Sequence, residues 1–78
     1  MEKAYVLIET QIGKTNEVVE AIRNIQGVAS VDVVTGPYDA IAILQAETLN
    51  DIGDLVVKRV HSLAGISRTV TCLVVQLS

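Results

Sequence analysis

The sequence repeats itself weakly at an interval of 38 residues. Ile25–Val28 (IQGV) closes one stretch of helical spacing, and Leu63–Ile66 (LAGI) closes a second, while Ile22 is matched by Val60. The glycine in each segment readily takes the left-handed conformation that ends many helices, so each segment predicts a helix end followed by a strand. The chain is therefore predicted to consist of two halves with the same local structure.

Periodicity within the halves predicts the order β-α-β-β-α-β. Apolar residues recur at helical spacing from Lys14 to Ile25 and again after Thr48, which can cap the second helix together with Asp51. Gly65 ends this second helix, whose apolar stripe consists of Leu49, Ile52, Leu55, Val56, Val60 and Leu63. Strands are predicted at Tyr5–Glu9, Val28–Thr35, Tyr38–Ala46 and Ile66–Leu77. This order gives the α+β ferredoxin-like fold, a four-stranded antiparallel sheet with both helices on one face.

The strands are apolar on both sides. A sheet with one face under helices and one in water should alternate apolar and polar residues, yet Tyr5 and Leu7 alternate with Val6 and Ile8. The third and last strands follow the same pattern. A second copy of the chain is expected to cover the free face, because burial contributes roughly 25 cal/mol per Å² of apolar area. We therefore expect sheet-to-sheet homodimers, the dimeric α+β barrel arrangement.

Composition argues against several function classes. The net charge is −3, and Lys58-Arg59 is the one basic pair among six scattered basic residues, so direct nucleic-acid binding is not expected. The longest apolar run, Ala40–Leu44, is far shorter than the roughly 18 residues of a membrane-spanning helix. The chain starts in a strand pattern without a signal peptide, and its single cysteine cannot form an internal disulfide. A cytoplasmic protein is expected.

The residues that usually carry catalysis are few. His61 is the single histidine, and near the end of the second helix a structural or surface role is expected for it. Cys72 lies within the last predicted strand, where a buried and inert thiol is expected. No cluster has metal-ligand spacing, and no Ser-His-Asp set or phosphate-binding glycine loop is recognisable. We expect no catalytic residue, no metal and no cofactor, and hence not an enzyme.

Two short motifs are more specific. Thr35–Asp39 (TGPYD) contains one of the two tyrosines and an aspartate at the start of an apolar strand. Ser67–Thr71 (SRTVT) places the hydroxyls of Thr69 and Thr71 on one face of a strand. The residues alone leave a structural alternative for each motif, because a Gly-Pro turn that Asp39 hydrogen-bonds explains the first and the strand preference of threonine explains the second.

The two motifs, in this order around an apolar strand and a helix, resemble the effector-binding (RAM) domain of the Lrp/AsnC transcriptional regulators. The resemblance covers essentially all of residues 1–78 as a single domain and lacks the helix-turn-helix module, so the chain looks like a stand-alone RAM protein. It implies homodimers that assemble into rings, commonly octamers, and an amino acid or related small metabolite bound where dimers meet. It also implies a ligand site with one wall from Thr35, Gly36, Tyr38 and Asp39 and another from Arg68, Thr69 and Thr71.

The function expected from this resemblance is that of an oligomeric amino-acid-binding regulatory module without its own DNA-binding domain, with full-length Lrp/AsnC regulators as further partners. Two alternatives stay open. A small dimeric ferredoxin-like enzyme would need a pocket with His, Arg or paired carboxylates, for which His61 is poorly placed. An ACT-like regulatory module would pair its sheets edge to edge, and a sheet that is apolar on both sides favours face-to-face pairing instead.

Overall fold

The computed structural model describes residues 1–77 and confirms the predicted order of elements. β4 ends at Leu73 and not at the predicted Leu77, because it runs antiparallel to β1 and reaches the first residues of β1 at that point. Ala4 lies opposite Leu73, and one further bond, from the Val74 N–H to the Lys3 carbonyl oxygen (2.9 Å), extends the pairing. The elements are β1 (Glu2–Thr10), α1 (Thr15–Arg23), β2 (Val28–Val33), β3 (Ala40–Ala46), α2 (Leu49–Asp54), a π-helical segment (Leu55–Val60) and β4 (Ile66–Leu73).

The strands form one antiparallel sheet in the order β2-β3-β1-β4. β1 is central, with Val6 opposite Ala42 of β3 and Thr71 of β4. Residues directly opposite one another project from the same face, so the register defines two faces. We call the side under the helices the helix face; it carries Ala4, Val6, Ile8, Ala40, Ala42 and Leu44. The other side is the open face; it carries Tyr5, Leu7, Ile41, Ile43, Val70 and Cys72.

The hydrophobic core lies between the helix face and the helices. Helical spacing brings one side of each helix onto the sheet, and the buried helical residues are Val18, Val19, Ile22, Ile52, Val56 and Val60. Within residues 1–77 no layer covers the open face, where Tyr5 stays 39% exposed and Val70 36% exposed. Cys72 is exposed on this face. Its prediction as a buried thiol is wrong for the single chain, because a place in a strand does not bury a side chain whose face is uncovered.

The second helix begins as predicted and then departs from α-helical geometry. The Thr48 side chain caps it by accepting a 3.1 Å hydrogen bond from the Asp51 N–H, although within residues 1–77 the Asp51 carboxylate accepts no return bond from the Thr48 N–H. Beyond α2 the backbone widens, and the His61 N–H donates to the Val56 carbonyl oxygen five residues earlier (2.8 Å). No helix of the part of the chain described here is long and apolar enough to cross a membrane.

Gly27 provides a test of how tightly the second helix packs on the link between α1 and β2. Its φ is +100°, and a Cβ built there would lie 2.6 Å from Leu55 Cδ1. Gly27→Ala should lower the free energy of unfolding by about 1–3 kcal/mol, because left-handed strain and the overlap with Leu55 add together.

Gly13→Ala is the matched control, since Gly13 has φ +80° but no atom within 4 Å of its built Cβ. Urea unfolding at one protein concentration measures both variants. Equal losses would mean that the Leu55 contact contributes nothing.

Candidate ligand-binding site

The predicted Thr35–Asp39 motif forms the connection between β2 and β3. The Val34 N–H closes this connection by donating to the Asp39 carbonyl oxygen (2.9 Å), and the Asp39 N–H donates to the Ile8 carbonyl oxygen of β1 (2.8 Å). Tyr38 and Asp39 are half-buried, whereas the three residues before them are exposed. The motif therefore has an anchored end on β1 and an exposed tip.

The Asp39 carboxylate binds β1 rather than its own turn. Asp39 Oδ2 accepts a 2.8 Å hydrogen bond from the Thr10 N–H and a 3.1 Å bond from Thr10 Oγ1. Thr10 Oγ1 also lies 2.7 Å from Thr15 Oγ1 at the start of α1. This carboxylate thus ties together the end of β1, the start of β3 and the start of α1. The alternative in which it hydrogen-bonds the Gly36-Pro37 turn is not what the structure has.

Tyr38 forms a second cluster with Arg68 across the end of the open face. Arg68 Nη2 donates to the Tyr38 hydroxyl at 3.3 Å, and its guanidinium carbon lies 5.5 Å from the centre of the Tyr38 ring. Arg68 Nη2 also lies 4.0 Å from Glu9 Oε2, its neighbour across the β1–β4 pairing. Since both charged side chains are substantially exposed, this ion pair contributes little stability and leaves the guanidinium accessible.

Thr69 and Thr71 point to the opposite side of the sheet. They pair with Ile8 and Val6, so they project from the helix face at its β4 edge. Thr69 Oγ1 lies 2.9 Å from His61 Nε2, which holds the end of the second helix against β4. Thr71 lines a groove of about 290 Å³ between this helix and β4, whose other lining residues are Leu49, Ile52, Gly53, Val56, Val57 and Leu73.

The predicted site residues therefore form two groups within one chain. In one group Arg68 contacts Tyr38 on the open-face side, next in the chain to Asp39, whose carboxylate turns to Thr10; in the other, Thr69 and Thr71 lie on the helix face at its β4 edge. Adjacent residues of a strand point to opposite faces of the sheet. Arg68 and Thr69 of the same chain therefore cannot lie on the same wall of a site, and the alternation of strand side chains already implies this from the sequence. Sequence reasoning did not identify the partners Thr10, Thr15 and His61, nor the groove beside Thr71.

Other chemistry is sparse in the described part of the chain. Within residues 1–77 no group of three or more His, Cys, Asp or Glu side chains is placed to hold a metal ion. A wider cleft, of about 400 Å³, opens at the other end of β1 between Met1–Lys3, Gln45, Val74 and Gln76. It contains neither motif, so the smaller groove beside Thr71 is the more informative cavity.

The comparisons with known proteins agree with this architecture. The family model of the Lrp/AsnC ligand binding domain matches residues 3–77. This chain belongs to the Lrp/AsnC family. An uncharacterized HTH-type transcriptional regulator of Pyrococcus furiosus is 34% identical over 71 residues, which are 87% of this chain and 47% of that protein. This Lrp/AsnC chain thus spans about half the length of the curated relatives it matches.

Solved structures share the same fold. A protein of Thermus thermophilus superposes with a TM-score of 0.94 at 35% identity, covering 100% of this Lrp/AsnC chain and 98% of its own. A transcriptional regulator of Neisseria meningitidis, solved as a complex with L-Met, superposes with a TM-score of 0.85 at 17% identity. That likeness covers 96% of this chain and 50% of the regulator, and at this identity it is a likeness of fold.

Asp39→Ala tests the bracing role of the carboxylate. The substitution removes a charged acceptor and leaves the Thr10 N–H without its partner, so the free energy of unfolding should fall by about 1.5–3 kcal/mol, with or without small molecules present. Asp54→Ala is the control, because the Asp54 side chain is exposed and its 3.8 Å ion pair with Lys58 is in water; it should change stability by less than about 0.5 kcal/mol. Chemical denaturation measures both, and similar small losses would contradict the brace.

Proposed function

We propose that the 78 residues act as a single regulatory domain that binds an amino acid or a closely related metabolite reversibly, without transforming it. The proposal is carried by the division of the predicted site between the two faces of one sheet. In this proposal a ligand contacts both groups of residues when a second copy brings its Tyr38 and Asp39 end against the Thr69 and Thr71 side of the first. On this proposal the complete site exists between copies of the chain.

The chemistry of both groups suits an amino-acid zwitterion. One oxygen of the Asp39 carboxylate is engaged by Thr10, and its other oxygen, with the carbonyls of the connection, can accept hydrogen bonds from an ammonium group. The Arg68 guanidinium, threonine hydroxyls and free N–H groups of the connection can donate to a carboxylate. Pro37 offers no such N–H. The Neisseria regulator that shares this fold was solved with L-Met, a ligand of the proposed class.

The open face supports the oligomer that this site requires. Its six apolar residues lie side by side across three strands, and none is under another layer of the described chain. Covering them with the open face of a second copy would remove apolar area from water on both sheets at once. We propose this homodimer as the building block and further assembly of dimers, to an octamer or similar ring, as the state that completes the ligand sites.

Ile43→Asp tests the dimer. Ile43 is half-buried on the open face beside Tyr5, and a carboxylate buried there without a partner should cost several kcal/mol of association free energy. Sedimentation velocity at micromolar concentration should give a dimer or a multiple of it for the unaltered chain and a monomer for the variant.

Ile12→Asp is the matched control, because Ile12 is fully exposed between β1 and α1. It should sediment like the unaltered chain. A stable, folded monomer of the unaltered chain would contradict the proposed dimer.

Thermal shift tests the ligand site. An amino acid that binds only the folded protein, present at 100 times its Kd, stabilises it by about 2.7 kcal/mol and should raise the Tm by several degrees. Asp39→Ala and Thr69→Val should each abolish that rise relative to the variant's own ligand-free Tm. Ser67→Ala on β4 is the control and should retain it. A rise that persists in both site variants would place the ligand elsewhere.

The rest of the proposal concerns partners. We propose a regulatory and non-enzymatic role in the cytoplasm, beside or together with full-length regulators of this family; the curated relatives, which are named as HTH-type transcriptional regulators, support this proposal. Direct DNA binding by these 78 residues is not part of the proposal. A chain with net charge −3 and scattered basic residues lacks the electrostatic surface that binding to phosphates requires.

A further inference from the structure

His61 is the single histidine of the sequence, and histidine is the side chain that ordinarily changes its charge between about pH 5 and about pH 8. It lies at the end of the second helix, where its Nε2 is 2.9 Å from Thr69 Oγ1 of β4. His61 is exposed and Thr69 is half-buried, so the ring exchanges protons with water while the hydroxyl is held at the edge of the sheet. The contact therefore joins a titrating group to a residue of the proposed ligand site.

The hydrogen bond between these two side chains can run in either direction while the ring is neutral. Nε2 accepts from the Thr69 hydroxyl in one tautomer and donates to Thr69 Oγ1 in the other. A protonated ring has no lone pair on either nitrogen, so Nε2 can only donate and Thr69 Oγ1 has to accept. Protonation of His61 therefore leaves the hydroxyl proton of Thr69 free to point toward another group.

The charges of the neighbouring elements do not neutralise a protonated His61. They belong to Asp54, Lys58 and Arg59 of the second helix, Arg68 of β4, Glu9 of β1 and Lys14 and Glu17 of α1. Glu9 and Arg68 project from the open face, away from Thr69. The other two carboxylates form ion pairs with lysines, Glu17 with Lys14 at 3.7 Å and Asp54 with Lys58 at 3.8 Å. Within residues 1–77 no carboxylate forms an ion pair with His61, so a carboxylate brought by a ligand would be its first counter-ion.

We propose that His61 positions the Thr69 hydroxyl for the carboxylate of a bound amino acid, and that binding is therefore linked to the protonation of His61. The inference rests on the proposed function, in which Thr69 contacts the ligand, and it adds the regulation of that site. When the ring is protonated, Thr69 donates outward beside a positive charge, and both features favour a carboxylate. When the ring is neutral, the charge is absent and Nε2 competes for the hydroxyl proton. The affinity for the ligand falls as the pH rises, and by reciprocity binding takes up a proton.

His61→Gln tests the inference on the purified full chain. Glutamine can still donate to Thr69 or accept from it but does not titrate, so the variant should bind equally well at both pH values. Arg59→Gln is the matched control, because it removes an exposed positive charge from the same helix end and leaves the contact between His61 and Thr69 in place. It should keep the pH dependence of the unaltered chain.

The probes are the neutral standard amino acids other than histidine and cysteine, because their own charge stays the same between about pH 5.5 and about pH 7.5. A Tm rise over the ligand-free protein at the same pH identifies the amino acids that bind. Calorimetric titration at constant ionic strength then gives the Kd at each pH. Titrations near pH 6.5 in two buffers of different ionisation enthalpy measure the protons taken up on binding.

For the unaltered chain the Kd should rise about three- to tenfold from the lower to the higher pH, the size of effect of one charge-assisted hydrogen bond, and binding should take up protons. His61→Gln should show neither effect. If the unaltered chain binds equally at both pH values, or more tightly at the higher one, or if His61→Gln keeps the pH dependence, the proposed function stands and the link to His61 is wrong. If no amino acid raises the Tm at either pH, the proposed function fails and the inference fails with it.

Discussion

The pairing of β1 with both of its neighbours is the constraint on which the rest of the structure depends. β1 pairs with β3 from Glu2 to Ile8 and with β4 from Ala4 to Thr10. Its residues Ala4, Val6 and Ile8 are completely buried, so a slip of one residue would turn the core side of the strand to the open face. The same register brings Thr10 to Asp39 and decides which β4 residues face the helices. The geometry of the candidate site is thus a consequence of how one central strand is paired.

Much of this architecture is predictable because the 38-residue repeat extends into the core. Val18 and Val56 are related by that interval and both are buried, as are Ile22 and Val60. The repeat also predicts the face from which Thr69 projects. Thr69 lies 38 residues after Val31, which is buried on the helix face, so the two side chains are expected to point to the same side of the sheet. The order of elements, the central sheet and the face of Thr69 all follow from a pattern that only requires each half to bury its own helix.

Other features depend on contacts that no local pattern contains. Asp39 binds Thr10, 29 residues away, and this pairing follows from the sheet register rather than from the turn chemistry around Gly36 and Pro37. The π-helical segment keeps Val56 and Val60 buried, so the apolar spacing that predicts an α-helix does not reveal the widened turn. The exposure of Cys72 depends on whether a second sheet covers the open face, and that is a property of the assembly.

The two halves of the fold differ at one position of the 38-residue repeat, where the first half has Thr15 and the second half has a glycine. Gly53 lies 38 residues after Thr15, and in the first half Thr15 uses its hydroxyl to contact Thr10 and thereby β1. The second half has nothing at the matching position, and its helix is held to β4 further on, by His61 and Thr69. Because this contact lies at the end of the helix and Gly53 has no side chain, the groove between the second helix and β4 stays open beside Thr71. The framework shared by both halves thus provides a packing contact in the first half and a groove in the second, where Thr71 of the second motif lies.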